Sequence, residues 1–481
     1  MKVHLVGVAG TGMGQLATLL KDAGHEVSGS DVAFDPPMGP ALEAAGIRCL
    51  PGWKAENVAG DLDLVVVGNA IRRDNVEAVE AERRGIARTS MSAALRERFL
   101  TGKRPLVVAG THGKTTTSAM CAWVLERAGL EPGFFIGGLP KNFDGGARLG
   151  GTKRKIVGAS AMPAPFVVEG DEYDAVFWHK KPKFFDYVDA ESVVIVTSVE
   201  HDHIDIYPSA DVYEAQFREL VERVGPDGLV VCDARDAAAR RIVSAHAKAR
   251  TAFYALDGDD TGDVTPTWLA VLVPGDEGVT PFDLFLGGSY GGRFALEVPG
   301  AHNVRNALAT LAACAEGFGV DIEKARATLT SFKGVRRRQD LIGRPNEIAI
   351  YDDFAHHPTA VDETLRALRA RHPSGKLWAV FEPRSATACR NIHQIEYETA
   401  FRAADRVLFA PLGRANIPEA ERLDVARIAA AIGEGATAAP SIDAIADTLV
   451  REAKPGDVVA LLSNGAFGGL HERLLHALGA K

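Results

Sequence analysis

The chain has 481 residues, which at about 150 residues per domain predicts three domains, and 46% of the residues are hydrophobic, enough for a core in each. The formal net charge of −9 argues against nucleic acid as the main ligand, because phosphate backbones select basic faces, but a nucleotide needs only local positive groups. No apolar run approaches the length of a membrane span, the first residues lack a signal-peptide pattern, and the five cysteines form no Cys-x-x-Cys pair, so we expect a cytoplasmic protein with reduced thiols.

Residues 1–102 alternate short apolar strands with helical segments, the pattern of a mononucleotide-binding βαβ unit. The predicted elements are a strand at Val3–Val6, a glycine turn at Gly7–Gly14, a helix at Gln15–Ala23, a strand at His25–Ser30 and a buried strand at Leu64–Val67. A polar tract at Arg98–Pro105 predicts a linker to the next domain.

The glycine turn is a candidate diphosphate site, because the backbone N–H groups at the start of a helix favour anions. Its spacing, with Asp31 at the end of the next strand, resembles a dinucleotide fingerprint, so on this signal alone an NAD-dependent oxidoreductase and a binder of nucleotide sugars both stay open. The candidate ligands are Gly10, Thr11, Gly12, Met13, Gly14 and Asp31.

A second α/β unit is predicted over residues 103–333. Its elements are a strand at Leu106–Ala109, a helix at Thr115–Ala128, strands at Phe166–Val168 and Val193–Thr197, a loose surface insertion at Gly150–Pro165, and a β-rich region over 255–300 with turns at Gly287–Gly288 and Gly291–Gly292.

The segment between the first strand and helix of this unit is typical of a phosphate-binding loop. Lys114 is expected to reach the β- and γ-phosphates of ATP, and the Thr115 hydroxyl to bind Mg²⁺. The match is incomplete, because Val108 stands where the longest form of the pattern has glycine. The candidate ATP ligands are Gly110, Thr111, His112, Gly113, Lys114, Thr115 and Thr116.

Polar side chains also follow the two later strands of this unit. Glu169 comes after an apolar strand, where a Mg²⁺ ligand is expected, and the cluster Glu200–His203 offers a second Mg²⁺ or a phosphate contact. Asn303 and Asn306 share one helix face and either bind adenine or phosphate or cap the helix. The basic run Arg336–Arg338 lies at a predicted domain junction, where an arginine can close on a transferring phosphoryl group.

A third, doubly wound α/β unit is predicted over residues 334–481. Its elements are a strand at Ile348–Tyr351, a helix at Thr359–Arg371, strands at Leu377–Phe381, Arg406–Phe409 and Val458–Leu462, and a helix at His471–Leu478.

Together these motifs resemble the Mur ligase family over essentially the whole chain. The family has the short loop Gly-Thr-His-Gly-Lys-Thr-Thr-Thr, which accounts for Val108, and it has the same order of motifs: Glu169, His203, His302-Asn303-x-x-Asn306, Arg338 and Asp353. The resemblance implies an α/β protein of three domains: a Rossmann-like domain for the UDP-sugar (1–102), a central P-loop ATPase-like domain for ATP (103–333) and a C-terminal Rossmann-like domain for the incoming amine or peptide (334–481).

The resemblance also implies an ATP- and Mg²⁺-dependent ligase. Its catalytic residues would be Lys114, Glu169, His203 and Arg338, its further ATP ligands Asn303, Asn306 and Asp353, its metal ligands Thr115, Glu169 and His203, and Asn69 a further UDP-sugar ligand. Several relatives carry a carbamylated lysine that helps to bind a second Mg²⁺; Arg218 falls near that place and cannot form a carbamate. Lys114 and Glu169 argue against the oxidoreductase, since hydride transfer needs neither. A third alternative is a UDP-sugar sensor without catalytic activity, and the presence of Lys114, Glu169 and His203 argues against it.

Within the family, two branches share the glycine-rich start and the motif Asp-Asp-x-x-His-His-Pro-Thr. One joins UDP-N-acetylmuramate to L-alanine, and the other joins it to L-alanyl-γ-D-glutamyl-meso-diaminopimelate in peptidoglycan recycling. Segments here that resemble the recycling branch are Pro36-Pro37-Met38, Gly68-Asn69-Ala70, Glu172-Tyr173-Asp174, Lys183-Phe184, Glu382-Pro383-Arg384-Ser385, Ser463-Asn464-Gly465 and Phe467-Gly468-Gly469. The alanine branch typically has serine at the place of Tyr173 and remains the alternative.

The amine site is expected where three strands of the third domain end. Because parallel strands present their carboxyl ends at one edge of a sheet, His356, His357, Arg384, Ser463 and Asn464 should lie there together. Arg384 is expected to bind a peptide carboxylate through two parallel hydrogen bonds. The alternative is that Arg384 pairs with Glu382 or with a nearby helix C-terminus.

Overall fold

The structure, a computed structural model, describes residues 1–35, 38–58, 60–152, 155–157, 160–275, 278–414 and 416–479. Pro36 and Pro37, part of a segment that resembles the recycling branch, lie outside the described residues. The chain forms two compact units, unit 1 (Met1–Glu200, Asp211–Leu269, Ala307–Thr328) and unit 2 (His201–Ala210, Ala270–Asn306, Leu329–Lys481). Among the described residues, every helix is too short or too polar to cross a membrane.

Unit 1 begins with a five-stranded parallel sheet of order β3-β2-β1-β4-β5. Its elements are β1 Lys2–Val6, α1 Thr11–Asp22, β2 Glu26–Asp31, α2 Met38–Ala44, β3 Arg48–Pro51, β4 Leu64–Val67, α3 Val76–Arg83, β5 Arg88–Ser90 and α4 Met91–Leu95. Helix α1 starts four residues before the predicted Gln15, so Gly12 and Gly14 belong to its first turn rather than to the preceding loop. An internal glycine costs a helix only about 1 kcal/mol, which burial of the rest of α1 can offset.

The predicted linker at Arg98–Pro105 is wrong over most of its length. Residues Arg96–Leu100 form a π-helical turn, and the next strand, β6, already begins at Arg104. Phe99 and Leu100 are buried, so apolar packing outweighs the polar composition that suggested a linker.

The second sheet of unit 1 surrounds the phosphate-binding segment. The elements of this part of the chain, in which β9 with β10 and β12 with β13 form separate two-stranded sheets, are β6 Arg104–Ala109, α5 Lys114–Arg127, β7 Gly133–Phe135, β8 Ala147–Arg148, β9 Lys155–Val157, β10 Ser160–Met162, β11 Pro165–Glu169, β12 Asp174–Val176, β13 His179–Pro182, α6 Phe184–Tyr187, β14 Val193–Val196, α7 Ala210–Arg223, β15 Leu229–Asp233, α8 Ala237–His246 and β16 Arg250–Leu256. The order β16-β15-β14-β6-β11-β7-β8 is parallel except for the antiparallel β8.

The region predicted as a loose insertion, Gly150–Pro165, contains regular structure. Strands β9 and β10 pair antiparallel, whereas residues 153, 154, 158 and 159 lie outside the described residues. A second antiparallel pair, β12 with β13, follows the acidic segment, and Val176 from this pair packs into the core of the first sheet with Val6 and Val65. The β12–β13 pair thus shares one hydrophobic cluster with the first sheet of unit 1.

Unit 2 is built on a six-stranded sheet of order β20-β21-β25-β22-β23-β24, parallel except for β20. The remaining elements of the chain are β17 Trp268–Leu272, β18 Thr280–Leu286, β19 Ser289–Leu296, α9 Ala301–Phe318, α10 Ile322–Thr330, β20 Asp340–Gly343, β21 Ala349–Asp353, α11 Pro358–Arg371, β22 Leu377–Phe381, α12 Gln394–Ala400, β23 Arg406–Phe409, α13 Val425–Ile432, β24 Ala436–Ala438, α14 Ile442–Glu452, β25 Val458–Leu462 and α15 Leu470–Gly479. Two clusters of buried apolar side chains pack on this sheet, which explains its continuous apolar strands.

One of the two predicted turns of the β-rich region is confirmed and the other is wrong. Gly287–Gly288 connects β18 to β19 as an antiparallel hairpin, but Gly291 and Gly292 lie inside β19. The pairing register shifts between Leu284 and Phe285, opposite these glycines, so they belong to an irregularity of the hairpin rather than to a turn. The predicted α/β fold class with parallel sheets is confirmed.

Candidate functional site

The phosphate-binding loop lies in unit 1 between β6 and α5, and the segment after β14 holds its shape. The N–H groups of Thr111 and His112 donate to O and Oγ of Ser198 at 3.0 and 3.1 Å. Gly110 has a φ of 131°, and a Cβ there would stand 2.1 Å from Oγ1 of Thr197. Only glycine fits this close approach, so the loop can pack directly against the segment after β14.

Lys114 is held by a carboxylate that sequence reasoning did not single out. Its Nζ donates to O of Gly110 at 2.5 Å and to the two carboxylate oxygens of Glu172 at 2.7 and 3.0 Å. Burial lowers the pKa of Lys114, but the charges of Glu172, Glu169 and Asp171 outweigh burial and raise it, so the ammonium stays charged. Glu172 is 2% exposed and lies three residues after Glu169; the sequence signals for it were that proximity and its place in the segment Glu172-Tyr173-Asp174, which resembles the recycling branch.

The structure brings together the two predicted metal ligands of unit 1. Oε1 of Glu169 accepts from the Thr115 hydroxyl at 2.8 Å, and Oε2 accepts from the Gly137 N–H at 2.7 Å. A carboxylate and a hydroxyl side by side at the start of α5 are hard oxygen donors, which suit Mg²⁺. The third predicted ligand, His203, belongs to unit 2, so its part in the same site stays a prediction.

Lys183 holds the acidic segment that follows β11 through two hydrogen bonds. Nζ of Lys183 donates to Oδ2 of Asp171 at 2.6 Å, and its backbone N–H donates to O of Tyr173 at 3.1 Å. Burial raises the pKa of Asp171, but the nearby Lys183 ammonium outweighs burial and lowers it. These contacts fix the shape of the segment that leads from Glu169 to Asp174 and present Glu172 to Lys114.

Other predicted residues of the phosphate loop contact Glu200. Nε2 of His112 donates to Oε2 of Glu200 at 3.0 Å, and the Thr111 hydroxyl donates to the Glu200 carbonyl at 2.8 Å. Gly113 is the N-cap of α5 with a φ of 78°, and Thr116 is buried in the first turn of this helix. Arg218, near the place of the carbamylated lysine, is exposed on α7, next to the buried Phe217.

The glycine turn of the first sheet precedes α1, so Thr11, Gly12 and Met13 form the first helical turn after Gly10. Oδ2 and Oδ1 of Asp31 accept from the N–H groups of Ala9 and Val32, at 2.8 and 2.7 Å. In a dinucleotide enzyme this carboxylate binds ribose hydroxyls. Here each oxygen accepts a backbone N–H, so the carboxylate also shapes the glycine turn. Asn69 is exposed just after β4, the parallel neighbour of β1, at the same edge of the sheet.

In unit 2, Asn303 and Asn306, the asparagines predicted to bind adenine or phosphate, are linked to Asp353 by hydrogen bonds through Gln339. Nδ2 of Asn303 donates to O of Pro299 at 2.7 Å and to Oε1 of Gln339 at 3.4 Å, while Nδ2 of Asn306 donates to Oδ1 of Asn303 at 3.1 Å. The Gln339 N–H donates to Oδ2 of Asp353 at 2.7 Å. Burial raises the pKa of Asp353, against the lowering effect of the Arg338 charge. Sequence reasoning missed Gln339, which carries no motif signal of its own.

A second cluster of unit 2 brings His203 near His356 through Asp202. Oδ1 of Asp202 accepts from the N–H of His203 at 2.7 Å, and His203 has a left-handed φ of 54°. Burial raises the pKa of Asp202, but the two imidazoles and the Thr387 hydroxyl outweigh burial and hold it well below its usual range. Burial lowers the pKa of His356, whose Nδ1 donates to O of Phe354 at 3.0 Å. The guanidinium of Arg338 lies 5.0 Å from the centre of the Phe354 ring.

The predicted amine-site residues follow adjacent parallel strands, because β25 pairs with both β21 and β22. The Ser463 hydroxyl donates to the buried Glu382, whereas Nη1 of Arg384 is 3.5 Å from Oε1 of Glu382. This ion pair, the alternative for Arg384, exists but is long, and the Arg384 side chain stays 45% exposed. A Cβ at Gly465 would stand 2.3 Å from Nε of Arg384, so the guanidinium lies directly over a glycine.

The remaining two predicted residues of the amine site are partly enclosed. His357 is the buried N-cap of α11, and its ring centre lies 4.6 Å from that of His393. Oδ1 of Asn464 is a buried acceptor that has no hydrogen-bond partner among the described residues. A peptide with N–H groups could satisfy such an acceptor.

Three family descriptions match consecutive parts of the chain. "Mur ligase family, catalytic domain" matches residues 2–100, "Mur ligase middle domain" residues 108–314 and "Mur ligase, glutamate ligase domain" residues 337–465. The crystal structure of a murein peptide ligase from Psychrobacter arcticus 273-4 is similar with a TM-score of 0.73 at 32% identity, covering 100% of this chain and 99% of that one.

Two curated relatives represent different specificities. The chain is 36% identical over 484 residues to the UDP-N-acetylmuramate–L-alanyl-γ-D-glutamyl-meso-2,6-diaminoheptandioate ligase of Escherichia coli (strain K12), covering 100% of this chain and 99% of that protein. It is also 36% identical over 499 residues to the UDP-N-acetylmuramate–L-alanine ligase of Roseiflexus castenholzii, covering 100% and 98%.

Proposed function

Because the chain belongs to the Mur ligase family, we propose that it joins the carboxylate of UDP-N-acetylmuramate to the amine of L-alanyl-γ-D-glutamyl-meso-diaminopimelate, using ATP and Mg²⁺. The observation that carries ligase activity is the convergence of Lys114, Thr115 and Glu169 at the phosphate loop. The tripeptide is supported by full-length similarity to the Escherichia coli and Psychrobacter ligases.

The reaction needs no nucleophile from the protein. The sugar carboxylate attacks the γ-phosphorus of ATP and releases ADP, which gives an acyl phosphate. The peptide amine then attacks the carbonyl carbon and loses a proton, so that the C–N bond forms first and the tetrahedral intermediate expels phosphate as its C–O bond breaks. The protein positions the substrates and stabilises charge. Lys114 would bind the β- and γ-phosphates and Arg338 the transferring group. Bound Mg²⁺ would neutralise phosphate charge, and Thr115 and Glu169 provide oxygen donors that fit it.

Identity alone does not separate the tripeptide from L-alanine as the amine, because both curated relatives are 36% identical. The segment around Tyr173 favours the tripeptide, because its sequence resembles the recycling branch. The hydrogen bond from Lys183 to Asp171 holds this segment in place. Tyr173 stands where the alanine branch typically has serine.

The test is the release of ADP with UDP-N-acetylmuramate and either amine. We expect kcat/KM for the tripeptide to exceed that for L-alanine by at least about a hundredfold, since a site built for a longer polar substrate leaves its groups unpaired with a single amino acid. A preference for L-alanine would assign the chain to the alternative branch. Absence of ADP release with both amines would reject the ligase.

Arg384→Lys should raise KM for the tripeptide by about tenfold while leaving KM for ATP and UDP-N-acetylmuramate nearly unchanged, because an ammonium cannot reproduce the two-pronged contact of a guanidinium with a carboxylate. The matched control is Arg366→Lys, an exposed arginine on α11 that pairs with Asp362. An equal rise for all three substrates, or none, would reject Arg384 as the peptide's carboxylate ligand.

A further inference from the structure

We propose that Arg337 is a positioning residue for the peptide site, an inference that rests on the proposed function. Its guanidinium holds the segment Ser463–Gly465, here called the peptide loop, in the shape that receives the incoming peptide. Sequence reasoning considered Arg337 only as part of a basic run next to Arg338. Its side-chain contacts within unit 2 indicate a role different from that predicted for Arg338.

The side chain of Arg337 bridges the peptide loop. Its Nη2 donates to the carbonyl oxygens of Ser463 and Gly465 at 2.9 and 2.6 Å. Both carbonyls come directly after β25, where the chain leaves the sheet and loses the ladder partners that satisfied it. A charged donor to two carbonyls two residues apart fixes the turn between them more strongly than neutral hydrogen bonds would.

Arg337 is itself held in place by the segment around β21. Nε of Arg337 lies 3.2 Å from Oδ2 of Asp352, and its guanidinium carbon lies 5.2 Å from the centre of the Phe354 ring. Its backbone N–H donates to Oδ2 of Asp340 at 3.2 Å, and its carbonyl accepts from the N–H of Phe354 at 2.9 Å. The residue has a φ of 60°, a left-handed conformation that a side-chain-bearing residue adopts at a cost, so these contacts hold it there.

The position of the peptide loop affects both predicted peptide contacts. The Ser463 hydroxyl donates to Glu382, and Gly465 lies so close under Arg384 that a Cβ would stand 2.3 Å from Nε. Displacement of the loop therefore moves the hydroxyl and removes the support under the guanidinium. Arg337 acts on the substrate through this loop, whereas its exposed neighbour Arg336 offers a control of the same charge and residue type.

The experiment measures KM for all three substrates in the full-length Arg337→Gln, Arg337→Lys and Arg336→Gln variants. We expect Arg337→Gln to raise KM for the tripeptide by about tenfold with KM for ATP and UDP-N-acetylmuramate within about twofold of wild type, because the hydrogen bonds weakened by the change are those to the peptide loop. Arg337→Lys should raise it by about threefold, because an ammonium can reach one carbonyl but not hold both. Arg336→Gln should match the wild type.

Hydrogen exchange provides the structural readout. Backbone N–H groups of residues 463–469 should exchange faster in Arg337→Lys, while those of β25 stay as protected as in the wild type. A tripeptide KM at the wild-type value in either Arg337 variant would overturn the proposal, and so would a fall in kcat with every KM unchanged. If Arg337→Gln does not fold, the lysine variant alone decides.

The outcome is separate from the test of the proposed function. If the wild-type enzyme uses L-alanine rather than the tripeptide, the proposed specificity fails, and the same KM comparison made with L-alanine still shows whether Arg337 positions the amine site.

Discussion

Replacement of Lys114 by alanine is expected to reduce ATP-dependent ligation by at least about a thousandfold. The change removes the ammonium that Glu172 and Gly110 hold at the phosphate loop, and with it the positive charge that would stabilise the phosphates. Binding of UDP-N-acetylmuramate, measured by titration calorimetry, should stay within about twofold of wild type, because the predicted sugar site lies on the first sheet and not on the loop. Turnover near the wild-type value would reject the phosphate-loop assignment.

A double variant separates loss of function from loss of fold. Lys114→Ala removes the ammonium that pairs with the buried Glu172 carboxylate, which should destabilise the protein by about 3 kcal/mol and lower its melting temperature. Adding Glu172→Gln removes the negative charge that Lys114 balanced, so the double variant should recover most of the melting temperature but none of the activity. Recovery of activity together with stability would show that Lys114 acts only through folding.

Glu169→Gln is expected to reduce turnover by about a hundredfold at low Mg²⁺, with part of the loss restored by excess Mg²⁺, because one anionic ligand of a hard cation is removed. Both oxygens of Glu169 accept hydrogen bonds, from Thr115 and Gly137. The amide keeps one acceptor and replaces the other with a donor, so the loop near Gly137 should also loosen.

The Mg²⁺ titration decides between these two effects of the Glu169 change. A weakened metal site shifts the Mg²⁺ concentration for half-maximal activity upward, whereas a loosened loop lowers activity at every concentration. Glu191→Gln, an exposed carboxylate just before β14, is the control and should leave the titration unchanged. Activity of Glu169→Gln equal to wild type at low Mg²⁺ would show that the acidic segment is only a solvated loop.

Much of the fold could be predicted from short apolar runs. Strands were predicted at Leu64–Val67, Leu377–Phe381, Arg406–Phe409 and Val458–Leu462, and the structure has β4, β22, β23 and β25 at those residues. Strands of a parallel sheet are covered on both faces, so they show as continuous hydrophobic segments bounded by polar residues. Glycine was less informative, since Gly12 and Gly14 lie in a helix and Gly291 and Gly292 in a strand.

Residues of the candidate site could be predicted where they belong to a short sequence motif or come directly after a predicted strand. Gly110–Thr116 and Glu169 were identified in this way, because β6 and β11 are parallel neighbours whose carboxyl ends meet at one edge of the sheet. The roles of these residues and the domain limits at 102 and 333 remain predictions. They depend on substrates and on how the parts of the chain come together.

The partners of the motif residues were decided only by the tertiary structure. Glu172 pairs with a lysine 58 residues earlier, and Arg337 donates to carbonyls 126 and 128 residues later. A local pattern reports which groups a segment can offer, through propensity and the periodicity of burial. It carries no information about which distant backbone carbonyl or carboxylate will complete a buried ion's hydrogen bonds, because that choice is made when separate segments pack and water is excluded from between them.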